Sequence, residues 1–299
     1  MLTTDAHVFF NLADPVSAWG VARGVVVTAP VAKQADPRFV SLRMASLFRD
    51  VSHDRFRVEM FLEATRATRF PEKISRLIGA YCFPDRASAE YAAAKWSRPP
   101  FFLSNLTEVH LYGDTRRDRH DSNWVTHAPV IADEDFLLSG DSWADRYWRG
   151  DIYPHCEPIW EMLTDGRMVI LDGEKQRAAF GTVEALYPQS LGILEIGRAA
   201  AWVGSDLGNT QACLLGDAGG LRLTYLLDMR DADSPDFIAR LEREKPVLNW
   251  HLIAPHVANG SFGNVPDFTD REFLLKGANI VSDQQGHPYL AWQPSALRS

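Results

Sequence analysis

The sequence predicts an α+β fold: antiparallel strands with flanking helices over roughly the first 180 residues, then a mixed α/β C-terminal region. Three observations predict it. Short runs rich in β-branched and aromatic residues are bounded by Pro or Asp-Gly, helical stretches separate them, and glycine becomes frequent after Lys175. The 299 residues are 46% hydrophobic, with nine Trp, eight Tyr and sixteen Phe, enough bulk for a sizeable core. General disorder is excluded.

The elements follow in order. Residues 7–12 read as a strand stopped at Asp14-Pro15, and Gly24 to Thr28 as a second strand closed by Pro30. From about Arg38 to Arg69 the pattern is helical, with Phe56, Met60, Phe61 and Ala64 about one turn apart, and Pro71 ends it. Ser75 to Phe83 reads as a strand stopped by Pro84, and Asp85 can cap a helix over Ala87 to Trp96. Residues 101–104 and 107–112 look like strands, and Ser139 to Gly150 like a short capped helix. Pro158 to Leu163 and Arg167 to Leu171 flank Thr164-Asp165-Gly166, a hairpin signal. Beyond Lys175 helix signals thin out, and a domain boundary is placed near residue 180. Trp202, Trp250 and Trp292 are expected in the core.

Charge and cysteine content narrow the function classes. The 31 basic and 39 acidic side chains give a net charge of -8, against a broad phosphate-binding surface, although Arg116, Arg117 and Arg119 form a local basic cluster. Three cysteines without a CxxC pair give neither a disulfide framework nor a thiolate metal cage. No run approaches the roughly 20 apolar residues of a membrane span, and the start lacks a secretory pattern. A cytoplasmic location, without membrane partners, is the expectation.

Several chemistry-bearing groupings are weak. Gly192 to Gly197 and Gly216 to Gly220 fit no phosphate-loop spacing and read as turns. His110, His120 and His127, with Asp114, Asp118 and Asp121, match no common metal pattern and read as a solvated loop. No GxSxG elbow is present, and the adjacent His155 and Cys156 would point to opposite faces of a strand. Glu161 stands out within Ile159-Trp160-Glu161-Met162-Leu163, because a mid-strand carboxylate is costly unless it faces water or a cleft. His7 and Arg76 are each readable as an edge or surface residue.

Four motifs in one order carry a resemblance. Glu59, Phe61-Leu62-Glu63, Arg66, Phe70-Pro71 and Ser75-Arg76-Leu77 are followed by the Ala87 to Trp96 helix, then Tyr147-Trp148-Arg149-Gly150. Glu161-Met162-Leu163-Thr164-Asp165-Gly166 and an apolar strand complete the set. Over roughly residues 5–172 the chain resembles the bacterial DUF2441 family, whose members look like ADP-ribosyltransferase-fold proteins. The resemblance implies split antiparallel β-sheets with NAD, as substrate, in the cleft between them. It implies residues 1–180 as the NAD-binding domain and 181–299 as a C-terminal domain of unknown role. By it, His7 would hold the adenosine ribose, Ser75 and Arg76 would line the nicotinamide side, and Tyr81 would stack on a ring. Glu161 would be the catalytic carboxylate, with Glu272 as the rival. No metal is implied.

The implied activity is ADP-ribosyl transfer to a macromolecule, protein or nucleic acid, or NAD hydrolysis, in a bacterial toxin or effector. A fold that binds without catalysis is the alternative, and the C-terminal region is a candidate surface for a protein partner. Glu161 suits the chemistry. Cleaving the nicotinamide bond develops oxocarbenium character on the ribose. A carboxylate near the 2′-hydroxyl binds more strongly as that charge grows, and such differential binding lowers a barrier.

Overall fold

Breaker residues place the first elements. The computed structural model describes residues 4–28, 38–50, 53–112, 116–128, 142–244, 250–258, 264–282 and 288–292. Strand β1 (Thr4–Phe9) runs into Asp14 and Pro15, which open helix α1 (Pro15–Arg23); Gly24, at φ 88, ends it in the left-handed region and feeds β2 (Val25–Val27). Then come β3 (Phe39–Val40), α2 (Leu42–Asp50), α3 (His53–Arg69), β4 (Ala80–Cys82) and α4 (Arg86–Trp96). Asp85 caps α4 as expected, accepting the Ser88 N–H at 2.7 Å. Next are β5 (Leu106–Tyr112), β6 (Arg117–Asp121), α5 (Asn123–Thr126) and α6 (Trp143–Arg149), the last opened by a capping box between Ser142 and Asp145. Residues 139–141 of that expected helix, and Asp114, lie outside the described residues. The chain continues through β7 (Trp160–Thr164), β8 (Arg167–Ile170), α7 (Gly173–Leu186), α8 (Leu191–Trp202), β9 (Thr210–Asp217) and β10 (Gly220–Leu227). It closes with α9 (Pro235–Glu244), α10 (Trp250–Ala258), β11 (Phe273–Lys276), β12 (Ala278–Ser282) and β13 (Pro288–Trp292).

The strand pairings are antiparallel and helices flank them, so the fold is α+β. One sheet has the order β1-β5-β8-β2 and another β4-β7-β6. A two-bond bridge joins them: His7 N–H donates to Phe83 O at 3.0 Å and Phe83 N–H to His7 O at 2.8 Å. A third sheet, β11-β10-β9-β3, and the pair β12-β13 complete the set.

The run around Asp165-Gly166 does not form the expected hairpin. β7 pairs with β4 and β6, whereas β8 pairs with β5 and β2, so the two arms diverge onto different sheets. The turn is held from both sides. Asp165 accepts the Arg116 N–H at 2.9 Å, and Gly166 N–H donates to Thr28 Oγ1 at 2.8 Å. Gly166 sits at φ 112, open to glycine and strained for other residues.

Other expectations shift for physical reasons. The strand expected over 75–83 shortens to 80–82, because Gly79 N–H bonds back to Ser75 O at 2.8 Å and turns Ser75 and Arg76 inward. The single helix over 38–69 divides into α2 and α3, with Phe39 and Val40 paired to β9 instead. Residues 103–105 form a 3-10 turn, not a strand. Gly192 and Gly197 lie inside α8, where sequence suggested turns, and Trp202 is 70% exposed rather than core. The side chains of Trp250 and Trp292 lie outside the described residues.

Residue 180 falls inside α7, and both sides of it share one core. Trp19, Val183, Leu194, Leu207, Phe237 and Phe268 pack in a single cluster. The Trp19 indole N–H donates to Gly208 O at 2.8 Å, while Arg23 donates to Leu207 O at 3.0 Å and Ser205 O at 2.8 Å. Gly208 approaches Gly197 so closely that a Cβ on Gly208 would stand 3.0 Å from the Gly197 Cα.

Candidate active site

Three buried side chains from distant segments converge on one guanidinium. Arg76, 2% exposed, lies in the turn before β4; Glu59 comes from α3 and Glu161 from the second position of β7. Arg76 makes a fork to Glu59, Nε to Oε2 at 2.8 Å and Nη2 to Oε1 at 3.1 Å. Its Nη1 pairs with Glu161 Oε1 and donates to the Tyr147 hydroxyl at 2.6 Å. Tyr147 in turn donates to Glu161 Oε1 at 2.7 Å. The guanidinium carbon stands 4.9 Å from the Tyr81 ring centre and 5.1 Å from that of Tyr147. Arg55 adds a second cation, 3.2 Å from Glu59 Oε1, so two arginines balance two carboxylates.

Burial sets the proton affinities here. It works to lower that of Arg76, but Glu161 and Glu59 outweigh it and hold the guanidinium well above its usual range. Burial works to raise Glu59, and Arg76 with Arg55 overcome it, keeping that carboxyl low. Tyr147 is pushed well above its usual range, chiefly by burial, so it stays a hydroxyl donor. Opposite Glu161 across the β6–β7 ladder sits His120, fully buried and stacked on the Tyr147 ring at 4.4 Å. Burial lowers its pKa to about 4, so the imidazole is neutral near pH 7. The Tyr147 carbonyl lies 2.8 Å from His120 Nδ1 and takes that proton, leaving Nε2 as an acceptor without a partner among the described residues.

This cluster opens on a cavity of about 840 Å³, within the range of small-molecule sites. Glu161, Arg76 and Tyr81 line it, together with Phe9 and Phe83 at the junction of the two bridged sheets and Trp96 and Phe101 after α4. Both Glu161 hydrogen bonds fall on Oε1; Oε2 accepts none among the described residues. Among the described residues, six cationic ones (Arg43, Arg49, Arg55, Arg76, Lys95 and Arg98) line the cavity against two acids, Asp14 and Glu161, in a chain of net charge -8. Arg43 lies over the Phe101 ring at 4.9 Å, and burial brings its pKa down to about 10. Such a wall favours an anion.

The structure brings Arg76, Tyr81 and Glu161 together and leaves the other expected site residues outside the cavity lining. His7 faces Glu108 on β5, and its Nδ1 is buried without a partner among the described residues. Ser75 donates to Glu63 Oε2 at 2.7 Å and accepts the Leu77 N–H at 3.1 Å, a local structural role. Glu272 bonds the Thr224 hydroxyl at the third sheet. The three histidines expected in a solvated loop are dispersed, two of them on strands β5 and β6. His110 pairs with Asp5 at 2.7 Å, His120 is buried beside Tyr147, and His127 stacks on Tyr153. Asp118 accepts the Ile74 N–H at 2.6 Å, and Asp121 accepts backbone N–H groups of Asn123, Tyr153 and Ile159. Among the described residues, Asp5, Glu108 and His110 are placed closely enough to share a metal ion, at the surface. Sequence reasoning quoted Glu59 and Tyr147 within motifs without giving them roles, set His120 aside as part of a solvated loop where it is in fact buried on β6, and missed Arg43 and Arg55. A buried charge announces itself only through its partner, here 17 and 85 residues away.

Neither a scan against protein-family models nor a search of curated proteins returns a match. Among the described residues, no helix is long and apolar enough to cross a membrane.

Proposed function

We propose that the protein cleaves NAD at the nicotinamide–ribose bond and passes ADP-ribose to a macromolecular acceptor or to water, on an ADP-ribosyltransferase-like fold. The observation that carries this is Glu161: a carboxylate with one oxygen fixed by Arg76 and Tyr147 and the other unbonded, on the wall of an aromatic, arginine-rich cavity between two antiparallel sheets. Fixing one oxygen orients the other without reorganisation as ribose charge develops. Tyr81 and Phe9 supply ring faces for a base or nicotinamide, and Arg43 and Arg98 supply charge for a pyrophosphate. The DUF2441 resemblance over residues 5–172 supports the same assignment, as does its expectation of split antiparallel sheets. A toxin or effector role follows from the resemblance alone. Nicotinamide release from NAD by the purified protein, beside Glu161→Gln, is the test.

A second function, binding without turnover, has its own observation. Glu161 already answers the buried Arg76 charge, and His7 and Ser75 stand outside the cavity lining. NAD bound but not cleaved would select it.

A further inference from the structure

The cavity has a second polar wall, built by α1 and the start of β9 rather than by the elements that carry Glu161 and its partners. Asp14 occupies the N-cap position of α1, yet its carboxylate makes no capping bond to the helix backbone. Its Oδ2 accepts from Ser17 Oγ at 3.2 Å; its Oδ1 is buried and has no partner among the described residues. Thr210 is 3% exposed, and its Oγ1 is likewise buried without one. Both residues line the cavity.

The backbone carries both toward the same end of α1. The 205–210 segment runs antiparallel to α1: Arg23 reaches Ser205 and Leu207, and Trp19 reaches Gly208. The next residues therefore lie toward the N-terminal end of α1, where Asp14 stands. Asn209 fixes this course by accepting the Val27 N–H at 3.1 Å. An N-cap carboxylate that does not cap and a buried hydroxyl without a partner among the described residues, both on the cavity lining, offer acceptors to a ligand's hydroxyl groups.

We infer that Asp14 and Thr210 read the free vicinal diol of a ribose at the end of the dinucleotide remote from Glu161, and that Asp14 excludes a 2′-phosphate there. A carboxylate accepts from a diol, while its charge repels a phosphate at the same place. The inference rests on the NAD assignment above and adds a selectivity that this assignment does not require. It also gives residues beyond 180 a part in the site, through Thr210.

ADP-ribose and its 2′-phosphorylated analogue, neither of which holds the scissile bond, are the probes, titrated calorimetrically into the full chain. ADP-ribose should bind about tenfold or more tighter, the scale of one charge-assisted hydrogen bond. Asp14→Asn should narrow that ratio by strengthening the phosphorylated ligand, and Thr210→Val should weaken ADP-ribose. Asp14→Ser places an uncharged residue favoured at N-caps in the same position, so it should narrow the ratio even if Asp14→Asn fails to fold. Equal binding of the two ligands, or a ratio unchanged in the Asp14 variants, would overturn the inference and leave the NAD assignment standing. Binding of neither would overturn both.

Discussion

Arg76 and Glu161 stand 85 residues apart in sequence and form a buried ion pair at the wall of the cavity. Neither can be changed without effect on the other. Taking a charge out of water is costly; here Glu161 is tolerated because Arg76 answers it, while Glu59 is answered by both Arg76 and Arg55.

Arg76→Met should therefore destabilise the fold by about 3–5 kcal/mol, since it leaves Glu161 buried without its counter-charge. Adding Glu161→Leu should recover part of that loss, with a coupling of roughly 1–3 kcal/mol between the positions. Urea unfolding of the two single variants and the double variant measures it. Simple additivity would show that the ion pair is not an energetic unit.

His120 makes stability depend on pH. Burial lowers its pKa from 6.5 to about 4 in the folded chain. Below pH 6.5 the unfolded chain gains a proton that the folded chain refuses until about pH 4. Stability contributed by the neutral imidazole is thus present above that window and lost as pH falls through it, by about 3 kcal/mol in all. His120→Phe keeps a ring against Tyr147 and should flatten that part of the profile. An unchanged slope between pH 6.5 and 4 in the variant would place the dependence elsewhere.

Gly208→Ala tests the joining of the chain's two halves. The new Cβ meets the Gly197 Cα at 3.0 Å at a residue whose φ is 77. A loss of about 1–3 kcal/mol is expected. A fragment of residues 1–180, which cuts α7 and removes Leu194, Leu207 and Phe268 from the core, should show no cooperative thermal transition. A sharp melt from that fragment would support a boundary near 180.

What could be read from the sequence was local. Asp85 and Gly150 marked helix ends correctly, because capping depends on residues within one turn. The antiparallel α+β character followed from short apolar runs between breakers. The split at Asp165-Gly166 was not legible, because a tight turn looks the same whether its arms pair with each other or with strands of other sheets. The helices α7 and α8 were hidden by Gly181, Gly192 and Gly197, which tertiary packing tolerates against local propensity. Within the site, Glu161 and Arg76 were found, but their pairing was not. The cavity's cationic wall draws on α2, α3 and the segment after α4, which sequence spacing does not connect.

The measurement that bears most directly on the function is nicotinamide release from labelled NAD, by the full chain and by Glu161→Gln, with and without cell lysate. The account predicts release by the native protein, and a loss of about 10²–10³ in rate for the variant, whose fold is checked by its melting transition. Label on protein or nucleic acid would mark transfer, and free ADP-ribose would mark hydrolysis. Nicotinamide release at the same rate from both proteins, or none from either, would contradict a catalytic role for Glu161.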